Sequence, residues 1–329
     1  MVSETETSLQ VDTLFKSFAV NTGPLRALSR RRAPMLTALD GVSLVLAPRQ
    51  VLGVVGESGS GKSTLAKCVV RLVEPNGGTI SYRGRDVVEA RGVQLMELRR
   101  AIQLIYQDPY SSLNPLMDVG EAIAEPAWVH GLIERRERHE FAAELLQVVG
   151  LSLEIAARRP GELSGGQRQR VAIARAMAVQ PEMLIADEAL SALDVSAQAQ
   201  ILNLLASLRT DRGVGILLIS HQLPIVAQIA DAVLIMYLGR IVESGPAARV
   251  FAAPAHPYTV GLLAAQPGMH RRGQRRIPAL QGEIPSPLQI PSGCRFRTRC
   301  PRAESICAEV DPARVEVGPG HGAWCHFAT

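Results

Sequence analysis

Gly56-Glu57-Ser58-Gly59-Ser60-Gly61-Lys62-Ser63-Thr64 constrains this chain more than any other segment. It fits GxxxxGK(S/T) and stands between a short apolar run, Gln50 to Val55, and a helix-like run, Thr64 to Leu72. Strand, glycine loop, helix is the order that builds a phosphate cradle. Glycines let the backbone curl until its N–H groups converge on phosphate oxygens. The helix N-terminus adds partial positive charge. Gly56, Ser58, Gly59, Gly61 and Thr64 form the cradle, Lys62 reaches the β- and γ-phosphates, and the Ser63 hydroxyl ligates Mg²⁺. Average residue usage predicts roughly 0.01 such matches by chance in a chain this long, so a mere glycine turn is set aside.

A second element is Met183-Leu184-Ile185-Ala186-Asp187-Glu188. An apolar strand ending in two acids places them at the C-terminal edge of a parallel sheet, where ligands bind. Asp187 is expected to hold Mg²⁺ through its hydration shell and Glu188 to polarise an attacking water. Val214 to Ser220 reads as another buried strand, and Val42, Leu44 and Leu46 alternate like a half-buried one. Strands separated by helical stretches imply a mostly parallel sheet with helices on both faces. Residues 1–40 read as irregular. The stretch from Met117 to Arg159 reads as a helical insertion, with a run from Ile133 to Val149 that puts Phe141, Leu145, Val148 and Val149 on one face.

Leu163-Ser164-Gly165-Gly166-Gln167 opens a predicted helix 23 residues before Asp187. Taken alone it is a helix cap, since Ser164 is a good capping residue. In company with the other two elements, the chain resembles the ATP-binding cassette (ABC) family, whose signature is LSGGQ. The resemblance spans essentially the whole chain. Gln107 matches the Q-loop, Ser191-Ala192-Leu193-Asp194 the D-loop, and His221 the switch histidine. Phe18 matches the aromatic that stacks on adenine, with a core side chain as the other reading. The resemblance implies ATP and Mg²⁺ as ligands, with Ser63 and Gln107 on the metal. It implies Glu188, His221 and Gln107 as the hydrolytic residues. It also implies a head-to-tail dimer in which Ser164, Gly165, Gly166, Gln167 and Asp194 serve the partner subunit's nucleotide. The implied fold is α/β: a P-loop NTPase core with an antiparallel β subdomain, a helical insertion and a small cysteine-rich extension.

QDPYSSLNP (Gln107 to Pro115), MYLGRIVESG (Met236 to Gly245), HPYT (His256 to Thr259) and GCRFRTRC (Gly293 to Cys300) are similar to the ATPase subunits of oligopeptide/dipeptide importers. That similarity implies two integral-membrane permease subunits, a paralogous ATPase as heterodimer partner, and an extracytoplasmic substrate-binding protein acting indirectly. It implies a peripheral position on the cytoplasmic face of the cell membrane and no nucleic-acid partner. Segment Asp108 to Pro126, with Tyr110 and Leu113, is expected to couple the Q-loop to the permeases. A nickel or other small-solute importer is the alternative within the subfamily. A non-transport cassette ATPase and a metal- or redox-sensing module are the alternatives of another class. Ala189-Leu190 departs from the family's Pro-Thr, Gln222 from its Asp, and Arg49-Gln50 from its Gly-Glu. None of the three removes a catalytic group.

Of the 329 residues 47% are hydrophobic and 20% charged, enough for a sizeable core. The net charge of +4 is too mild to argue for nucleic acid. No stretch approaches the roughly 18 apolar residues of a membrane span, and MVSETETSLQ does not resemble a secretory signal. We expect a nucleotide-binding domain over residues 1–260, its helical insertion at about 108–160, and an extension over 261–329. The extension is rich in Pro, Gly and Arg and holds Cys294, Cys300, Cys307 and Cys325, spaced C-x5-C-x6-C-x17-C. A cytosolic chain keeps thiols reduced, which favours metal over disulfides. Structural zinc usually shows a tighter cysteine pair, so a 4Fe-4S iron–sulfur cluster is the first expectation, with zinc as the alternative. A proline-rich tail with little core would need such a staple.

Overall fold

The computed structural model describes residues 9–20, 34–108, 112–266, 280 and 282–328. Its strands are β1 (Leu9–Ala19), β2 (Met35–Leu46), β3 (Val51–Val55), β4 (Gly77–Tyr82), β5 (Arg85–Asp86), β6 (Ile102–Ile105), β7 (Met183–Asp187), β8 (Gly215–Ser220), β9 (Ala232–Tyr237), β10 (Arg240–Pro246), β11 (Arg314–Gly318) and β12 (His321–Trp324). Its α-helices are α1 (Lys62–Val69), α2 (Gly92–Ala101), α3 (Val119–Val129), α4 (Arg138–Val148), α5 (Gly165–Met177), α6 (Val195–Arg212), α7 (Leu223–Ile229), α8 (Ala247–Ala252), α9 (Pro257–Ala264) and α10 (Ile306–Glu309). The described residues fall into two compact units, one of 46–51 and 82–220, the other of 9–45, 52–81 and 221–328.

In the first unit β6, β7 and β8 run parallel, with Ile102 opposite Met183 and Met183 opposite Gly215. Every residue of β7 and β8 is buried, which is why both read as unbroken apolar runs. The insertion is helical, as expected, but α4 starts at Arg138 rather than Ile133. Gly131 takes φ +67°, and Glu134 and Glu137 close a capping box, so the chain turns before the helix can begin. The buried face of the run is Ala142, Leu145, Leu146 and Val149; Phe141 and Val148 are only half-buried.

In the second unit β3 runs parallel to β9, and β10, β12 and β11 follow antiparallel at the side of β9. The sheet is therefore mixed, and its antiparallel part comes partly from the tail. A separate sheet holds β2, β1 and β4 side by side. The irregular reading of residues 1–40 is corrected here: 9–19 form an eleven-residue strand, and β2 starts at Met35. Thr13, at φ +47°, breaks the alternation of β1, so Leu9, Val11 and Leu14 are buried out of simple period. A period-2 search passes over such a strand. The arginine-rich run Arg26 to Arg32 lies outside the described residues.

The tail also has more core than its composition suggests. Phe296, 1% exposed, packs its ring 5.3 Å from Tyr237 and 5.4 Å from Tyr258. Arg295 donates to the Leu238 carbonyl and pairs with Asp40. Glu243 of β10 is fully buried and accepts the N–H groups of Ala255 and His256 at 2.8 and 3.0 Å, while His321 Nε2 of β12 lies 2.7 Å from its Oε1. A buried carboxylate needs such partners to offset desolvation.

His256 is buried beside this group, and its Nδ1 accepts the Tyr258 N–H at 3.0 Å, so the ring is held neutral; burial pushes its pKa down to about 3 from 6.5. Between those values the unfolded chain binds a proton that the folded chain refuses. The stabilisation is whole above pH 6.5 and is lost as pH falls, by up to ~1.4 kcal/mol per unit from this group. Urea unfolding at pH 7 and pH 5 should show a steeper loss in wild type than in His256→Gln, whose amide oxygen can still accept the Tyr258 N–H.

Candidate functional site: a phosphate loop and a paired carboxylate

The phosphate loop lies in the second unit, between β3 and α1. Its shape demands glycine at two places. A Cβ on Gly56 would sit 2.2 Å from the Met236 carbonyl oxygen, and one on Gly61, at φ +107°, would sit 2.3 Å from that of Ala38. Gly61 caps α1 and no side chain caps that end, so the positive end of the helix faces the loop. Ser58 and Gly59 are exposed at the loop's tip, and Ser63 and Thr64 are half-buried in the first turn of α1. Lys62, 3% exposed, is drawn across the loop: its ammonium donates to the carbonyls of Gly56 and Glu57 at 2.8 and 2.9 Å and to Ser60 Oγ at 3.4 Å. A charge held in place by carbonyls can turn to phosphate without a search. Gly61→Ala should therefore abolish ATP binding, measured by titration of the full chain, while leaving the first unit folded.

His221 opens the second unit's last segment and is exposed. Phe18 of β1 is 37% exposed, with the Lys16 ammonium 4.9 Å from its ring centre. It is thus a surface aromatic rather than a core one.

The first unit holds the acids. Asp187 ends β7 and is 5% exposed. Glu188 follows at φ +48°, a conformation held by its N–H donating to the Ile219 carbonyl at 2.9 Å and its carbonyl accepting from the Ser191 N–H at 3.1 Å and hydroxyl at 2.9 Å. Gln107 Nε2 donates to Glu188 Oε2 at 3.0 Å, so the two residues matched to Q-loop and base do meet. Ala189 and Leu190, the departures from the family pattern, are 4% and 2% exposed and serve as core.

The signature forms a full capping box on α5. Ser164 Oγ accepts the Gln167 N–H at 3.3 Å, and Gln167 Oε1 accepts the Ser164 N–H at 3.0 Å. Ser164 and Gly165 stay exposed. A Cβ on Gly166 would come within 3.2 Å of the Ala197 methyl, so this turn lies close on α6, which Asp194 caps through the Ala197 N–H at 2.8 Å.

In the segment expected to couple the Q-loop to the permeases, Leu113 is 3% exposed and Leu116 is 77% exposed. Tyr110 lies outside the described residues. The four tail cysteines are all free, but among the described residues no group of three or more His, Cys, Asp or Glu is placed to hold a metal ion. Burial is the main cause that pushes the Cys294 thiol up to about 11, with Cys307, Cys325 and Cys300 adding to it; Cys300 and Cys325 are raised in the same way.

Sequence reasoning passed over Tyr258, whose hydroxyl accepts the Glu57 N–H at 2.9 Å, and Arg299, which pairs with the Glu57 carboxylate. Both lie more than 200 residues from Glu57, beyond any local pattern.

Comparisons with known proteins agree with this geometry. Residues 39–191 match the ABC transporter family and residues 242–307 the oligopeptide/dipeptide transporter C-terminal region. The chain is 45% identical to the probable peptide ABC transporter ATP-binding protein y4tS of Sinorhizobium fredii, over 97% of this chain and 89% of that one. It is 43% identical to the oligopeptide transport ATP-binding protein AppF of Bacillus subtilis, over 98% of both. The dimeric post-hydrolysis structure of the ATP-binding cassette MJ0796 with ADP and Pi superposes with a TM-score of 0.64 at 26% identity, over 73% of this chain and 98% of that one. No helix among the described residues is long and apolar enough to cross a membrane. By its phosphate loop, its signature turn and this likeness along nearly its whole length, the chain belongs to the ATP-binding proteins of the ABC transporters and hydrolyses ATP.

Proposed function

We propose that this ATPase powers the import of di- and oligopeptides across the cytoplasmic membrane, as one half of a nucleotide-sandwich dimer. The observation that carries the reading is the oligopeptide/dipeptide-type region at residues 242–307 fused to a cassette whose relatives are named for peptide transport. In this reading residues 1–260 are the cassette and 261–329 the extension. The partners are a paralogous ATPase, two integral-membrane permeases and, indirectly, an extracytoplasmic binding protein. The chain then works at the cytoplasmic face of the membrane without entering it.

The roles follow from chemistry. Gly56, Ser58, Gly59, Gly61 and Thr64 wrap the phosphates with backbone N–H groups, and Lys62 supplies the mobile positive charge. Ser63 and Gln107 are the oxygen donors suited to Mg²⁺, with Asp187 acting through its hydration shell; the ion when bound would offset charge on the phosphates. Glu188 accepts a proton from the attacking water, and His221 contacts the γ-phosphate. Phe18 offers its exposed face to adenine. Ser164, Gly165, Gly166 and Gln167, with Asp194, meet the nucleotide held by the partner subunit, for which the exposed signature turn is suited. Gln107, which donates to the Glu188 carboxylate, is the natural reporter between this site and the membrane. Phosphate release by the assembled transporter should fall ~10²–10⁴-fold in Glu188→Gln, with ATP binding retained, because the amide keeps the size and loses the basicity. Turnover near that of wild type would remove Glu188 from this role. Peptide uptake by vesicles, tested against nickel uptake, separates the peptide reading from the nickel alternative.

The four tail cysteines are assigned a structural 4Fe-4S centre, with zinc as the alternative. Support comes from the ligand set itself: four unpaired thiols on one short tail. Protein purified without oxygen should be brown and carry about four iron per chain. Colourless protein with stoichiometric zinc would select the alternative, and metal-free protein with an ordered tail would remove the centre.

A further inference from the structure

The strongest charged contact between the tail and the phosphate loop has no place in the machinery described so far. Arg299 Nη1 donates to Glu57 Oε2 at 2.7 Å and Nη2 to Glu57 Oε1 at 3.0 Å, a two-pronged pair. The arginine side chain is 4% exposed and that of the glutamate 25%. The guanidinium stands 5.8 Å from the Tyr237 ring centre and 5.9 Å from that of Phe296, so the aromatic cluster fixes its position. A guanidinium stays charged throughout the working range. Glu57 is held from its other sides too. Its N–H donates to Tyr258 and its carbonyl accepts from Lys62.

Glu57 is the second residue of a loop whose task is to bind a polyanion. An uncompensated carboxylate there repels phosphate. The Glu57 peptide carbonyl, in the same residue, is one of the oxygens holding the Lys62 ammonium. We propose that Arg299 is a positioning residue of the nucleotide site, cancelling the charge of Glu57 and fixing its orientation so that the tail completes the phosphate loop. Lysine cannot replace it fully, because a single ammonium cannot make two parallel bonds to one carboxylate. The arginine lies between Phe296, which anchors the segment, and Cys300, so the order of this segment is felt at the phosphates.

The test is ATP binding and steady-state hydrolysis by the full chain. Arg299→Ala should raise the Kd and the KM for ATP about tenfold while kcat moves less, and added salt should shrink the difference. Arg299→Lys should fall between. The deciding variant is Glu57→Gln in the Arg299→Ala background, which removes the bare carboxylate and should return the Kd to within about twofold of wild type. A purely structural arginine predicts no such rescue. An unchanged Kd in Arg299→Ala, or a folded double variant that binds as weakly as Arg299→Ala, would overturn the proposal. If loss of Arg299 prevents folding, Glu57→Gln alone decides: it leaves the arginine's charge by the loop and should lower the Kd, and a raised Kd overturns the idea.

Discussion

Lys62 carries the constraint on which the site rests. An ammonium that is almost fully buried must find oxygen, and it finds the carbonyls of Gly56 and Glu57 and the Ser60 hydroxyl. Those oxygens converge only if the backbone folds back on itself within six residues. The fold-back brings Gly56 against the Met236 carbonyl at the end of β9, and Gly61 against the Ala38 carbonyl in β2. Position 56 therefore has no room for a side chain, and position 61 has neither room nor a permitted φ. One buried cation thus ties the glycine pattern, the start of α1 and the pairing of β3 with β9 into one requirement.

The acid side rests on backbone as well. Glu188 holds φ +48°, which costs a non-glycine residue roughly 1 kcal/mol or more. Three hydrogen bonds to its peptide groups, from Ser191 and to Ile219, hold it there. The effect is to aim the carboxylate off the end of β7, where Gln107 reaches it. Ala189 and Leu190 sit just beyond, both buried, so their departure from the usual family residues is absorbed by packing and leaves the hydrogen bonds of Glu188 in place.

What could be read in the sequence follows the range over which each requirement acts. The phosphate loop, the helix cap at Ser164, and strands β7 and β8 each need particular residue types at neighbouring positions, and each was legible. Strand β1 was not, because Thr13 shifts its alternation by one residue and a local pattern cannot be phased across the shift. The start of α4 was overrun because Leu132 and Ile133 continue the apolar rhythm, while Gly131 and the Glu134 capping box, which actually set the boundary, speak of a turn.

The tail is where sequence and structure diverge most, and the reason is distance along the chain. Its composition suggested a segment unable to order itself without a metal. In the folded chain Phe296 completes an aromatic cluster with Tyr237 and Tyr258, β12 pairs with β10, and His321 meets the buried Glu243. Each of these contacts spans more than 35 residues, and none leaves a periodic trace. They also show why the extension cannot be treated as an appendage to a finished cassette. Glu243 would be a bare buried carboxylate without its neighbours, and its shared histidine comes from the tail. The same holds at the phosphate loop, where the neutral partner of Glu57 is Tyr258 and the charged one is Arg299. Charge balance, rather than apolar area alone, makes the tail part of the unit that binds phosphate.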